Sequence, residues 1–306
     1  MIEIYNYLAG RGDCIRIRYT GISGNTRNIM IDSGTTQFGS RLSSIYTEVK
    51  KNQEMIDVMI ITHVDSDHLG GLLWNLRIGE ILPIVEVWMN HGKSSEGDTS
   101  LSVRQREEVY FRLLRAGIPV KSAVAGNTRI VDGMLFQILW PNLSAFENSK
   151  LFRSVQLSRH SDWGYSIQEL MDMPIKSADT SSSNRASIVV KVQYESKSFL
   201  FTGDAWAEDL SEVVMDDHFD LMKLPHHGAI RNFPEELLGK LDCQNFLICT
   251  DGVNHPDKQT IAKLMGGRKE IHILGAVNWW EPRFFKDEDR EFQKVIHFEE
   301  GERSTW

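Results

Sequence analysis

With 306 residues, 41% hydrophobic and 25% charged, the chain has the composition of a soluble globular protein, long enough to bury a substantial core in one large domain or two ordinary ones. A formal net charge of −8 argues against a protein that coats DNA nonspecifically, but it leaves room for a nuclease whose positive field is local to a cleft. There is no apolar run of membrane-spanning length, no basic leader-like N-terminus, and no disulfide or thiolate-zinc spacing among Cys14, Cys243 and Cys249; the expectation is a cytoplasmic protein with buried thiols.

Strands are predicted over residues 2–8 and 14–19, joined by a Gly10-Arg11-Gly12-Asp13 turn, and a third over 28–34 that carries Asp32 near its end. A helix over 40–54 leads into the stretch around which the chain is organised. Residues 56–62 hold five apolar side chains in seven positions and read as a buried strand. His63, Asp65, Asp67 and His68 follow at once, before Gly70-Gly71 in a helix predicted over 69–78. In an extended segment alternate residues face one side, so His63, Asp65 and Asp67 share a direction and the turn brings His68 round to join them. Such a density of imidazole and carboxylate is costly unless a cation compensates it, and a divalent metal is the natural compensator. The plainer alternative is a polar loop in which Asp65 or Asp67 caps the helix.

Further along, a strand at 85–90 ends at His91, residues 93–100 are loop-like, and 101–117 has helical spacing. Strands at 120–124, 128–131 and 134–140 follow. Residues 142–185 are the least regular part of the chain; they carry Lys150, Arg153 and Arg159 and read as an insertion over a site, with a short helix at 165–171. Strands at 186–194 and 197–205 end in Gly203-Asp204. A helix at 206–215 and a strand at 218–224 lead to Pro225-His226-His227-Gly228. Helices at 234–241 and 258–265 and strands at 245–250 and 271–274 complete the predicted elements, with His255 in a turn at 251–257. Polar clusters thus fall at strand ends, where they can meet along one edge of a layered α/β structure.

The ordered segments GRGD (10–13), IDSG (31–34), THVDSDHLGG (62–71), TGDA (202–205) and LPHHG (224–228) together resemble the metallo-β-lactamase superfamily, and within it the branch related to the hydrolase domain of ComEC. The resemblance covers about residues 8–275. It implies a four-layer αββα sandwich, here taken as a single domain over 1–306, with the metal site at one edge of the two sheets. It further implies His63 and Asp65 as first-site ligands, Asp67 and His68 as second-site ligands, and Asp204 as the bridging carboxylate. One of His226 and His227 closes the second site, and His226 is preferred. Asp65 replaces the commoner histidine, and Asn184 stands where the superfamily usually has another, so the first site is depleted. His227, Asn184, His255 and His91 are further candidates to bind or support the metal, whereas Asp32 is assigned to supporting the metal loop. His160, His218, His272 and His297 are read as surface or core residues.

This donor set suits one or two divalent ions, Zn²⁺ or Mn²⁺, with Asp65 favouring the harder ion. The expected function is a metal-dependent hydrolase that uses a metal-activated water, a phosphodiesterase or nuclease in which Asp67 and Asp204 serve catalysis. Arg185, Arg153 and Arg159, with Lys150, are candidate contacts to nucleic acid or a small phosphodiester substrate. The alternatives are hydrolysis of a carboxylic ester or lactone on the same fold, and a non-catalytic regulatory component of a bacterial multi-protein system.

Overall fold

Alternating burial along the N-terminal segments builds a first sheet. In it β1 (Ile2–Asn6), β2 (Ile15–Thr20) and β3 (Thr26–Ile31) pair antiparallel, and β4 (Ile56–Ile61), β5 (Val87–Met89) and β6 (Val120–Lys121) continue in parallel. The computed structural model describes residues 1–91, 101–148, 162–175, 178–214, 217–233, 235–238 and 241–306. Parallel neighbours require crossovers, supplied here by α1 (Gly39–Lys51), α2 (Ser66–Arg77) and α3 (Leu101–Arg115). The second sheet contains β7 (Thr128–Val131), β8 (Met134–Trp140), β9 (Val189–Tyr194), β10 (Lys197–Phe201), β11 (Leu221–Lys223), β12 (Asn245–Ile248), β13 (Ile271–Gly275) and β14 (Ile296–Glu300), in the spatial order 14-13-12-11-10-9-8-7. A last strand, β15 (Arg303–Thr305), returns to the first sheet and pairs antiparallel with β1.

Three apolar clusters account for the layering. One lies between the sheets, with Ile17, Ile29, Val58 and Ile60 meeting Phe136, Val190, Phe199 and Leu221. A second packs the outer face of the first sheet, through Met59 and Ile61, against Leu42 and Ile45 of α1 and Leu69 and Leu72 of α2. The third covers the other sheet with α5 (Ile167–Asp172), α7 (Ala207–Val213) and α9 (Lys258–Leu264). β4 is therefore buried on both faces, which explains its nearly continuous apolar sequence. The architecture is the expected αββα sandwich.

Within the predicted insertion, the described residues form α4 (Leu143–Asn148), α5 with a Ser166–Glu169 capping box, and α6 (Ser182–Arg185). The strand predicted over 218–224 is shorter, as β11, because at its start His218 makes only an isolated bridge with Asp242. Strands β14 and β15 were not predicted. Among the described residues no helix is long and apolar enough to cross a membrane.

A buried ion pair ties the insertion to the body. Lys258 Nζ donates to Asp289 Oδ2 (3.0 Å) and to the Tyr165 carbonyl (2.8 Å), while Asp289 Oδ1 accepts from the Ile167 amide (2.7 Å). Replacing one partner strands the other charge, so Lys258→Met should cost about 3–5 kcal/mol of stability, measured by denaturant unfolding. A loss below about 1 kcal/mol, the range of a surface pair, would contradict this reading.

Candidate metal centre

Asp32, at the end of β3 with φ of 59°, organises the loop after β4. Its Oδ1 accepts from the Thr62 amide (2.7 Å), and its Oδ2 accepts from Thr62 Oγ1 (2.7 Å) and pairs with His68 Nδ1 (2.9 Å). His68 is thereby held with Nε2 facing inward. The backbone of the loop is fixed as well, since the His68 carbonyl accepts from both the amide and the hydroxyl of Ser33, each at 2.7 Å. Two glycines permit this closeness: a Cβ on Gly71 would lie 2.0 Å from the Ser33 carbonyl oxygen, and one on Gly12 would lie 1.8 Å from that of Asp67. Asp65 occupies the N-cap position of α2, yet its side chain makes no capping hydrogen bond and instead accepts from Ser183 Oγ at 3.1 Å. The helix-cap alternative therefore does not account for this carboxylate.

The second sheet supplies the other half. Asp204 follows β10, its amide donating to Ser187 Oγ at 3.1 Å. After β11, His226 and His227 both adopt left-handed backbone, with φ of 47° and 55°. That conformation is costly for residues with a Cβ, and here it turns both imidazoles into the site. His227 Nδ1 donates to the Cys249 carbonyl (2.9 Å) and lies 3.1 Å from Asp13 Oδ1, leaving Nε2 inward. His226 Nδ1 is surrounded by Asn232 Oδ1 (3.0 Å), Asn184 Nδ2 (3.3 Å) and Asp179 Oδ2 (3.4 Å).

These side chains converge on one oxygen. Asp204 Oδ2 is 3.5 Å from His68 Nε2 and 3.8 Å from Nε2 of each of His63, His226 and His227. The Nε2 atoms of His63, His68 and His227 are buried without a hydrogen-bond partner. Buried polar atoms are rarely left so, and several aimed at one point fit a divalent cation. Donor atoms within 4.8 Å of one another form the groups His63–His68–Asp204 and Asp67–His68–His227. His227 thus joins Asp67 and His68 directly, whereas His226 approaches the centre through Asp204.

Charge follows the same logic. Burial disfavours the imidazolium of His68, but Asp204, Asp32, Asp67 and Asp13 outweigh it and hold its pKa well above the usual value. For His227, burial is again overcome, by Asp204 and Asp13, and the pKa rises to about 10. His63 is pushed down to about 3 by burial and by His68. Burial together with Asp67 raises Asp65 to about 6, whereas at Asp67 the opposing effect of burial is exceeded by His68 and the nearby His227, giving about 2. An ion bound through His227 must displace a proton at neutral pH. Metal affinity should therefore rise with pH, and the calorimetric heat of loading should scale with the ionisation enthalpy of the buffer; heats independent of buffer would contradict this. Asp32→Asn, which removes the charged partner of His68 Nδ1, should weaken metal binding roughly 10–100-fold in a competitive chelator titration. Unchanged affinity would remove Asp32 from the metal-supporting set.

The remaining candidates are distributed unevenly. His255 is buried beside His226 and His227, with ring centroids at 5.4 and 6.5 Å, and neither ring nitrogen has a hydrogen-bond partner. Asn184 stands behind His226 and donates to Asp179 Oδ2 at 2.7 Å. His91 pairs with Glu107 (3.2 Å) and stacks on Tyr110, so its partners belong to α3. Arg185 is engaged by Asp209 at 3.2 Å and lies over the Trp206 ring. Arg153, Arg159, Lys150 and His160 lie outside the described residues. Three members of the site escaped the sequence reading: Asp13, taken as part of a turn; Asp179, in the irregular insertion; and Lys223. Lys223 is buried, pairs with Asp13 and lies 3.6 Å from Asp204 Oδ1. A lone lysine inside the apolar run LMKL was its only signal.

A two-sheet sandwich with flanking helices and a histidine–aspartate cluster at the strand ends defines a class. Residues 9–91 match the metallo-beta-lactamase superfamily, the family that the ordered motifs resemble. Among curated proteins it is similar to ComE operon protein 3 of Bacillus subtilis (strain 168), at 22% identity over 231 residues, 73% of this chain; it spans only 24% of that relative's length. Similar solved structures include CmlA, a diiron beta-hydroxylase from Streptomyces venezuelae (15% identity, TM-score 0.46, covering 99% of this chain and 54% of that one). The metallo-beta-lactamase fold protein YhfI from Bacillus subtilis matches over 100% of both chains at 11% identity and TM-score 0.44. Zn²⁺-bound PqqB from Methylobacterium extorquens matches at 14% identity and TM-score 0.42, over 95% of this chain and 87% of that one.

Proposed function

We propose that the protein is a metal-dependent hydrolase of phosphodiesters, a phosphodiesterase or nuclease. The observation that carries this reading is the convergence of unpartnered imidazole nitrogens on the Asp204 carboxylate. His63, Asp65 and Asp204 would hold one ion, and Asp67, His68, His227 and Asp204 another, with Zn²⁺ or Mn²⁺ suited to the mixed donors. Bound there, divalent ions acidify water and neutralise charge developing on an attacked phosphoryl group. The chain's own residues set the geometry for this. Asp65 and Asp67 are the exposed members, at 32% and 34%, so substrate approaches over them. The Asp67 carboxylate, kept ionised, is placed to accept the proton of the attacking water. Lys223, behind Asp204 and Asp13, balances buried negative charge without reaching the open side.

The ComEC-type motif order, with Asp65 and Asn184 in place of histidines, supports phosphodiesters over lactams. The test is turnover of bis(p-nitrophenyl) phosphate, single-stranded and duplex DNA, and RNA by purified protein with measured Zn²⁺ or Mn²⁺ content, alongside nitrocefin and a lactone panel. Metal-dependent phosphodiester cleavage is expected. Metal-loaded protein that turns over only esters or lactones, or nothing, would reject the reading.

A further inference from the structure

Beside His63 lies a narrow cleft of about 20 Å³, room for a single oxygen-sized group, lined by Thr62, His63, Asn90, Ser183, Ala186 and Arg106. Arg106 comes from α3, an element that contributes nothing else to the metal centre. Its side chain is only 4% exposed, and its Nε has no hydrogen-bond partner. The guanidinium makes one ion pair, from Nη2 to Glu107 Oε1 at 3.3 Å, and that carboxylate is shared with His91 Nε2 at 3.2 Å. A buried charged donor left unpaired costs more than the ~1–3 kcal/mol of a neutral group, so one side of the guanidinium is held ready for an acceptor that the described residues do not supply. The walls are fixed: Asn90 exchanges hydrogen bonds of 2.8 and 2.9 Å with Ala123, and Ser183 is committed to Asp65. Among the described residues lining the cleft, Arg106 is the cation, and the carboxylates Asp65, Asp67 and Asp204 dominate the neighbouring centre.

We propose that Arg106 is a substrate-binding residue that grips a non-bridging oxygen which an anionic phosphoryl group at the metal centre inserts into the cleft beside His63. This rests on the phosphodiester reading and adds the residue that recognises the phosphoryl group. Planar guanidinium groups suit such oxygens because two N–H donors can engage at once.

The test measures binding of inorganic phosphate to the metal-loaded full chain by calorimetry, apart from turnover. Arg106→Gln should weaken phosphate binding about tenfold or more, equivalent to 1.4 kcal/mol, with metal content unchanged. Arg106→Lys should recover part of the loss. In turnover, Arg106→Gln should raise KM for bis(p-nitrophenyl) phosphate more than it lowers kcat, a split that general loosening of the fold would not give. Ala186→Leu, which narrows the same cleft without touching the guanidinium, provides the decision should Arg106→Gln not fold: weakened phosphate binding is expected, and unchanged binding overturns the proposal. Phosphate affinity in Arg106→Gln equal to wild type also overturns it. Arg106-dependent phosphate binding in a protein that cleaves no phosphodiester would uphold the anion site and reject the hydrolase reading. Turnover with an unchanged KM in Arg106→Gln would do the reverse.

Discussion

Asp204→Asn should lose metal and turnover together. The Asp204 Oδ2 oxygen stands within 3.5–3.8 Å of four imidazole Nε2 atoms, a position no other carboxylate shares among the described residues. An amide of the same shape removes the negative charge and places an N–H donor where lone pairs are needed. Burial opposes ionisation of Asp204, but His68, His226 and His227 hold its pKa well below the usual range, so the native group is an anion throughout the working pH span. Charge stabilisation by a bound ion is worth several kcal/mol, so the rate on any accepted substrate should fall about a thousandfold. Elemental analysis should show a lower metal-to-chain ratio. It should be run on His272→Ala as well, because Glu270, His272 and His297 form a separate surface group able to retain an ion. Since the substitution removes a buried charge rather than a packed side chain, the thermal melt of the metal-free variant should stay cooperative. Full metal content with full activity would remove Asp204 from the centre.

Lys223→Met tests the other buried charge. The ammonium pairs with Asp13, donates to the Gly203 carbonyl at 2.8 Å and faces Asp204 Oδ1, all within the protein interior. Burial works against the charged amine, yet Asp13 and Asp204 raise its pKa above the normal lysine value. Methionine fills the volume but removes the closest cation of buried Asp13, leaving His227 beside it, which should cost about 3–5 kcal/mol in denaturant unfolding. Adding Asp13→Asn should recover part of that loss, because the double variant no longer buries an unpaired charge. A single variant within about 1 kcal/mol of wild type would show that the pair is solvated.

Much of the site could be read from local pattern. The loop 62–71 puts four donors within six residues, and Gly203-Asp204 and the paired histidines each follow an apolar strand, so their approach to one edge follows from the layering alone. The unread parts depend on long-range approach. Nothing local to Asp13 distinguishes a turn aspartate from one lying against His227, more than two hundred positions away. Which histidine of the pair joins Asp67 and His68 depends on two successive left-handed residues, a backbone choice that Gly228 permits but side-chain pattern does not reveal. Arg106 sits on a helix whose exposed positions hold many charges, and only its burial separates it from them. The terminal strands β14 and β15 are short and half polar, which masks the alternation by which the other strands were found.

The pairing of β15 with β1 bears on the order in which the molecule assembles. The first sheet gains its second partner for β1 only when residues 303–305 have been made, and His227 meets Asp67 and His68 only after most of the second sheet exists. During synthesis the N-terminal half therefore carries a carboxylate-rich loop with an incomplete set of donors. Acquisition of a full metal centre is a late event, coupled to closure of the sandwich rather than to formation of the loop that begins it.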